Sequence, residues 1–296
     1  MELQKKIITG VAHGPHLLIT GAVHGNEFEP MLSIRRLMKV IDPAELRGQV
    51  TLVPVVNEAA FENRHRAATD GLDLARTCPG RVDGSITERI AWSLSELIAQ
   101  PDYYIDLHTG GTDMAILPMS GYMLHRDPEI LEVQRRLARA FNLPIIWGTS
   151  PDLDGRSMSM ARDANIPAIY IEHGGGGGCN PEGVDDCIAG CLNVMGELGM
   201  IDREPPRSRV AHFVEEDHED SGYMQIQNPA PIPGYFEPAV ALGQRVAPGD
   251  LIGTVSDVLG DHVEEVRSSQ TGIVLMLKTF PRVDEGDGLA VVLKVE

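Results

Sequence analysis

HLLITGAV (16–23), GQVTLVPVVN (48–57), DYYIDLH (102–108) and IPAIYIE (166–172) are apolar, β-rich runs of strand length, and stretches with helical apolar spacing lie between them. FEPMLSIRRLMKVI follows the first run. Ser85-Ile-Thr-Glu88 is a capping-box signature ahead of the amphipathic IAWSLSELIAQ. Asp127-Pro128 opens a helix through LEVQRRLARAF, and PEGVDDCIAGCLNVMGELG makes another. Strands that alternate with helices need a sheet buried on both faces. The expectation is therefore an α/β domain with a mixed, mostly parallel sheet flanked by helices over residues 1–205.

The character changes near residue 203. REPPRSR and the acidic HFVEEDHED read as a linker and a solvated edge. From about residue 222 onward, short β-rich segments (GYFEP, ALGQRVAPGD, LIGTV, QTGIVLML) alternate with turn signals such as DEGDG. That spacing suggests a small all-β domain of roughly 80 residues, and residues 206–296 are assigned to this C-terminal β domain.

The net charge is −18, from 25 basic and 43 acidic residues. This argues against a nucleic-acid partner, which needs a basic face, and leaves an anionic small molecule open. The four cysteines form no CxxC pair and no disulfide framework, which suits a reducing compartment. Cys187 and Cys191, in a helical stretch, read as buried structural thiols. MELQKKIITGVAHGPH has no signal-like apolar core, and no apolar run approaches the ~18 residues of a spanning helix. A soluble cytoplasmic protein without a membrane partner is expected.

The chemistry concentrates where strands end. In GAVHGNEFEP (21–30), His24 and Glu27 stand at i and i+3 where an apolar strand gives way to a helix. On a first helical turn they would share a face and could close on one ion. His108, at the end of DYYIDLH, offers a third ligand. Two imidazoles and a carboxylate leave one tetrahedral position of Zn²⁺ for water, the arrangement of a catalytic site. Glu172 ends another strand and is a candidate general base, and Asp106 shares a face with His108. Arg64, Arg66 and Arg76 cluster in NRHRAATDGLDLAR and could meet an oxyanion or a carboxylate.

The five glycines after Glu172-His173 lack the Gly-Lys-Ser/Thr of a phosphate loop. They are expected to let the chain leave the Glu172 strand close to a substrate. His173 should point away from Glu172. His13, His16, His65, His125, His212, His218 and His262 read as surface or packing residues.

GAVHGNE, DGLDLARTCPG, DLHTG and YIEHGG together resemble, in motif order, the succinylglutamate desuccinylase/aspartoacylase family, zinc amidohydrolases with a carboxypeptidase-like fold. The resemblance runs through residues 17–205. It implies one Zn²⁺ per chain on His24, Glu27 and His108, with Glu172 as the catalytic glutamate. Arg66, downstream of Asn57, resembles the arginine that polarises the scissile carbonyl. Asp73 resembles the acid that orients a ligand histidine, and Arg76 the arginine that holds the substrate carboxylate. One position departs: the family's Asp-Leu-Asn-Arg is here Asp73-Leu74-Ala75-Arg76. Alanine cannot donate a hydrogen bond, which counts against the usual acidic amino-acid substrate. The C-terminal segment resembles the barrel-sandwich domain of some relatives.

The resemblance and the residues together imply a zinc-dependent hydrolase that cleaves the amide of a small N-acyl amino acid or related N-acyl amine. A homo-oligomer is left open. The rivals are a carboxypeptidase-like peptidase acting on short peptides and a non-catalytic metal- or ligand-binding homologue.

Overall fold

The computed structural model describes residues 2–218, 221–224 and 227–295, arranged as two compact units. Glu219 and Asp220, which end the acidic HFVEEDHED stretch, lie outside the described residues. The first unit comprises Met1–Thr109, Pro118–Glu172 and Cys179–Ser221. The second comprises Gly110–Leu117, His173–Gly178 and Gly222–Glu296.

The chain begins β1 (Lys6–Thr9), β2 (Ala12–Gly21), α1 (Phe28–Val40), β3 (Arg47–Val53) and α2 (Glu58–Glu62). A 3-10 turn, Leu74–Arg76, precedes α3 (Ile86–Ile98) and β4 (Tyr103–His108). There follow β5 (Met114–Met123), α4 (Pro128–Phe141), β6 (Ile145–Thr149), α5 (Ser157–Asp163), β7 (Ala168–Gly175), α6 (Pro181–Glu197) and β8 (His212–Glu215). The strand order is β1-β3-β2-β4-β7-β5, continued by β6 and β8. The pairs β2–β3, β2–β4, β4–β7, β5–β6 and β6–β8 are parallel, and β1 runs antiparallel to β3. The sheet is thus mixed and mostly parallel.

The two faces of its central strands differ in chemistry because side chains alternate along a strand. Leu17, Ile19, Ile105, Leu107, Ile169 and Ile171 join one core cluster with Ile34 and Leu37 of α1, Leu137 and Phe141 of α4, and Cys187, Cys191 and Val194 of α6. The intervening positions present Thr20, Tyr104, Asp106, His108, Tyr170 and Glu172 to the other face, where Ser157 of α5 hydrogen-bonds Asp106. The register sets Thr20 beside Asp106 and His108 beside Glu172.

Local signals close the helices. Ser85 and Glu88 form a reciprocal capping box at the start of α3. Asn180 caps α6 through its side chain, while its backbone N–H donates to the buried carboxylate of Glu29 in α1 at 2.9 Å. β8 falls inside the stretch expected to be a linker and solvated edge; it is a short edge strand on β6. Arg135 donates to both oxygens of Glu215 at 2.8 Å, and the Tyr122 hydroxyl donates to it at 2.6 Å. Those partners are remote in sequence, so the local pattern does not announce the strand.

In the second unit, β9 (Gly234–Pro238), β10 (Arg245–Val246), β11 (Leu251–Ser256), β12 (Val263–Arg267), β13 (Gly272–Lys278), β14 (Arg282–Val283) and β15 (Ala290–Leu293) are joined by turns. One sheet has the order β12-β11-β9-β14, while β13 pairs with β10, β15 and the first residues of β5. Phe236, Ile252, Val255, Val274, Val283 and Val292 are among the residues of its core. Gly174 to Gly177 have φ of 79°, 105°, 77° and 85°. Four consecutive left-handed residues form a defined path that side chains beyond Cα would strain.

The segment between α2 and the 3-10 turn is tied to α3 by Asp70, whose carboxylate accepts from Ser85 Oγ (2.6 Å), Thr87 N (2.9 Å) and Thr87 Oγ1 (2.7 Å). Slight burial raises its pKa, but these donors outweigh it and hold the carboxyl below its usual value. Its contribution is therefore complete above the ordinary carboxylate range and is lost as pH falls through the lowered folded value. Asp70→Ala should destabilise the protein by about 1–2 kcal/mol at pH 7, the scale of a lost helix-start acceptor. Urea midpoints of the two proteins should converge as the pH is lowered towards 3; a gap independent of pH would refute the assignment.

Candidate active site

His24, Glu27 and His108 are buried, and their ligand atoms all lie within 4.8 Å of one another. The local frame differs in one respect from the expected first helical turn. Glu27 is the residue before α1, with φ −107° and ψ 98°, so the pair is held by a turn in which Glu27 N donates to His24 O at 3.4 Å. Gly25 makes this turn possible, since a Cβ there would stand 2.1 Å from the backbone carbon of Ala60 in α2. The turn is seated on a neighbouring helix, which brings His24 back over the end of β2.

Glu27 lies between the two histidines: Oε1 is 2.6 Å from His24 Nδ1, and Oε2 is 3.2 Å from His108 Nδ1. The other ring nitrogens face acids behind them. His24 Nε2 lies 3.0 Å from Asp73 Oδ1, and His108 Nε2 lies 3.0 Å from Asp106 Oδ2. Carboxylates thus flank both nitrogens of each ring; with the proton kept on Nε2 by Asp73 or Asp106, each Nδ1 would turn a lone pair inward. Three acceptors then converge, a donor set fit for a divalent cation. Without one, protons must supply the positive charge. Burial opposes charge on His108, but Asp106 and Glu27 outweigh it and raise its pKa well above the usual imidazole value. Burial likewise raises Glu27, and the two histidines more than reverse this.

Asp106 is fully buried and accepts from Thr20 Oγ1 at 2.7 Å and from Ser157 Oγ. Thr20 Oγ1 is also 2.7 Å from the hydroxyl of Tyr104. Burial would raise the Asp106 carboxyl, yet His108 and these donors hold it below its usual value. Asp73 joins two parts of the site: besides His24 it receives Ala75 N at 2.9 Å, and its other oxygen receives Arg66 Nε and Nη2 at 3.3 and 3.0 Å. Among the described residues, Arg66 Nη1 meets no acceptor.

Glu172, 8% exposed, stands beside His108 in register. Burial pushes its carboxyl up to about 8; His108 opposes that shift, Glu27 adds to it, and Arg66 opposes it. Its Oε2 is buried and has no hydrogen-bond partner among the described residues. Buried acceptors are normally satisfied, so this atom is able to take a donor from a bound molecule.

The geometry thus brings together His24, Glu27, His108, Asp73, Asp106, Arg66 and Glu172. Arg76 is an exposed side chain on the 3-10 turn, its Nη1 donating to Ala75 O at 2.7 Å. Arg64 is exposed and has φ 56°. His16 meets Thr51, His125 meets the carbonyl of Arg162, and His262 meets Glu264. Four neighbours of the site escaped the sequence reading. Tyr170 is two residues before Glu172 on the same face, and its pKa is raised by burial and then by Glu172, with Arg156 opposing. Period-2 spacing could have flagged Tyr170; nothing local flags Arg156, Thr20 or Ser157.

A family model for the succinylglutamate desuccinylase/aspartoacylase catalytic domain matches residues 13–198. The chain belongs to that family. It is 30% identical over 290 residues to an N-alpha-acetyl-L-2,4-diaminobutyric acid deacetylase of Halomonas elongata, covering 95% of this chain and 83% of the relative. Among solved structures it is similar to a succinylglutamate desuccinylase/aspartoacylase from Rhodobacter sphaeroides, with TM-score 0.88, 28% identity and coverage of 99% of this chain and 89% of that one. It is also similar to the product-bound ectoine utilization protein EutE (DoeB) from Ruegeria pomeroyi, with TM-score 0.87, 26% identity and coverage of 97% and 87%. These relatives make the family's deacylase chemistry the frame for the site, and the chain an enzyme by membership.

Asp106→Asn would offer His108 Nε2 a neutral acceptor and leave Thr20 and Ser157 without a carboxylate to bind. Divalent-metal affinity should weaken about 10–100-fold, read by competition with a chromophoric chelator. Unchanged affinity would remove Asp106 from the support of His108.

Proposed function

We propose that the protein is a zinc-dependent amidohydrolase that removes the acyl group from a small N-acyl amino acid or related N-acyl amine. The observation that carries this reading is the convergence of His24 Nδ1, Glu27 and His108 Nδ1, with the unpartnered Glu172 Oε2 on the neighbouring strand. The Halomonas elongata relative makes Nα-acetylated diamino acids the first substrate class to test. Ala75 favours the same direction, because it supplies no side-chain donor to a second substrate carboxylate.

His24, Glu27 and His108 would hold the Zn²⁺. When bound, the ion acidifies a water and polarises a carbonyl. Glu172 takes the proton of the attacking water through Oε2 and returns it to the leaving amine. Burial raises this carboxyl and a bound cation would favour its ionised form, and a carboxyl under those opposing influences can take a proton and give it back. Arg66, pinned to Asp73 by Nε and Nη2, keeps Nη1 for the oxyanion. Asp73 and Asp106 fix the proton on the outer nitrogen of each histidine, and Arg76 anchors the substrate carboxylate.

In this reading the first unit, which takes in β8 beyond the expected boundary at 205, forms the carboxypeptidase-like catalytic domain, and the β strands from Gly222 onward a barrel-sandwich-like all-β domain. The four cysteines are free, three of them buried, in keeping with a reducing cytoplasm and a small-molecule substrate. No described helix is long and apolar enough to cross a membrane.

Amine release should be measured on N-acetyl, N-succinyl and N-formyl amino acids, Nα-acetyl-2,4-diaminobutyrate and short peptides. Zinc-loaded, chelated and Glu172→Gln proteins are run in parallel. Turnover on an acylated amine should vanish with chelation. Glu172→Gln should keep stoichiometric zinc and lose at least ~100-fold in rate. Turnover confined to peptides would replace the deacylase with a peptidase, and silence with zinc bound would favour a binding protein.

A further inference from the structure

Against the net charge of −18, one cavity of the first unit has the opposite sign. It has a volume of about 540 Å³, within the range of small-molecule sites, and lies at the C-terminal ends of α4 and α6 under the segment that follows α6. Arg136, Arg139 and Arg203 line it, and Glu197 is the lining carboxylate. Asn142 and Asn193, 7% and 8% exposed, supply neutral polar groups. Pro205 and Pro206 add a rigid apolar wall.

Each guanidinium is anchored on one side. Arg203 Nε donates to Asn193 Oδ1 at 2.7 Å, and among the described residues its Nη groups meet no acceptor. Arg136 Nε lies 3.1 Å from Glu197 Oε1. Arg139 lies over the Phe213 ring, 4.8 Å from its centroid, with Nη1 4.0 Å from Glu132. The wall is fixed as well: Asn142 Nδ2 donates to Arg207 O at 3.1 Å and its Oδ1 accepts Arg209 N at 2.8 Å. Guanidiniums held by one edge lose little freedom when they bind an anion, so ordering them costs little on binding.

We propose that this cavity is a second ligand site, for a small organic oxyanion with a carboxylate or phosphate group and an apolar body. The forked donors of Arg136 and Arg203 take the oxyanion, and the prolyl wall takes the body. The inference does not rest on the amidohydrolase reading, and its test does not use turnover.

Isothermal titration of the metal-stripped full-length protein with inorganic phosphate and, separately, with malonate tests it at constant ionic strength. One saturable site, with Kd about 1 mM or tighter, is expected for at least one anion. Phosphate alone would identify a phosphate ester as the ligand class, and malonate alone a carboxylate. Arg203→Gln should weaken binding at least about tenfold, the worth of one charge-assisted contact. Ser208→Glu, on the exposed lining of the cavity, should do the same by placing a carboxylate there without touching either helix. Absence of saturable binding by both anions, or binding that survives both substitutions, would overturn the proposal and leave the arginines as partners of helix C-termini.

Discussion

The site depends on the carboxylate of Glu27 lying between two imidazoles that are each flanked by a further acid. Acceptors that face one another in a protein interior need positive charge between them. Asp73 and Asp106 sharpen that need, because they set a carboxylate at the outer nitrogen of each histidine while Glu27 occupies the inner one. The remaining contacts of the site follow from it. Thr20 and Ser157 keep Asp106 ionised and in place, and Arg66 does the same for Asp73 while remaining open on one nitrogen.

Core packing enforces this geometry. The register that buries Ile105, Leu107, Ile169 and Ile171 against α1, α4 and α6 is the same register that sets His108 beside Glu172. A slip of one residue in β7 would move Ile169 and Ile171 out of the core as surely as it would turn Glu172 away. Precision at the site is therefore maintained by the hydrophobic term, the largest favourable one in folding, and not by the weak polar contacts alone. The same logic explains why His24 needs a separate device. It lies beyond the end of β2, outside the register, and the close seat of Gly25 on α2 does for it what strand pairing does for the other two residues.

What could be read from the sequence divides along that line. Apolar runs marked β2, β3, β4 and β7, and caps marked α3 and α4, because those signals are local. His24, Glu27, His108 and Glu172 stood out because each ends or follows a legible strand. β8 was taken for a linker because Glu215 is held by Arg135 and Tyr122 from elsewhere in the chain. Thr20, Ser157 and Arg156 carry no motif; their proximity to the site follows from pairing and helix docking. The helical placement of Glu27 was wrong by one residue, and the cause is a turn shaped by tertiary contact with α2.

The charge balance of the site connects its parts more tightly than distance does. Glu27, Asp73, Asp106 and Glu172 are four carboxylates gathered around Arg66 and two histidines. Asp106 and Glu27 raise His108 against the pull of burial, while burial raises Glu172 and Glu27 adds to that shift. A divalent cation between the Nδ1 atoms would compete with protons and stabilise the ionised form of Glu172. The Glu27 carboxylate that would help hold a cation is thus also one of the charges that add to the effect of burial on Glu172. Under the proposed function, cation binding and the ionisation of Glu172 would be two aspects of one electrostatic balance, and any substitution that alters one carboxylate of the set should shift both.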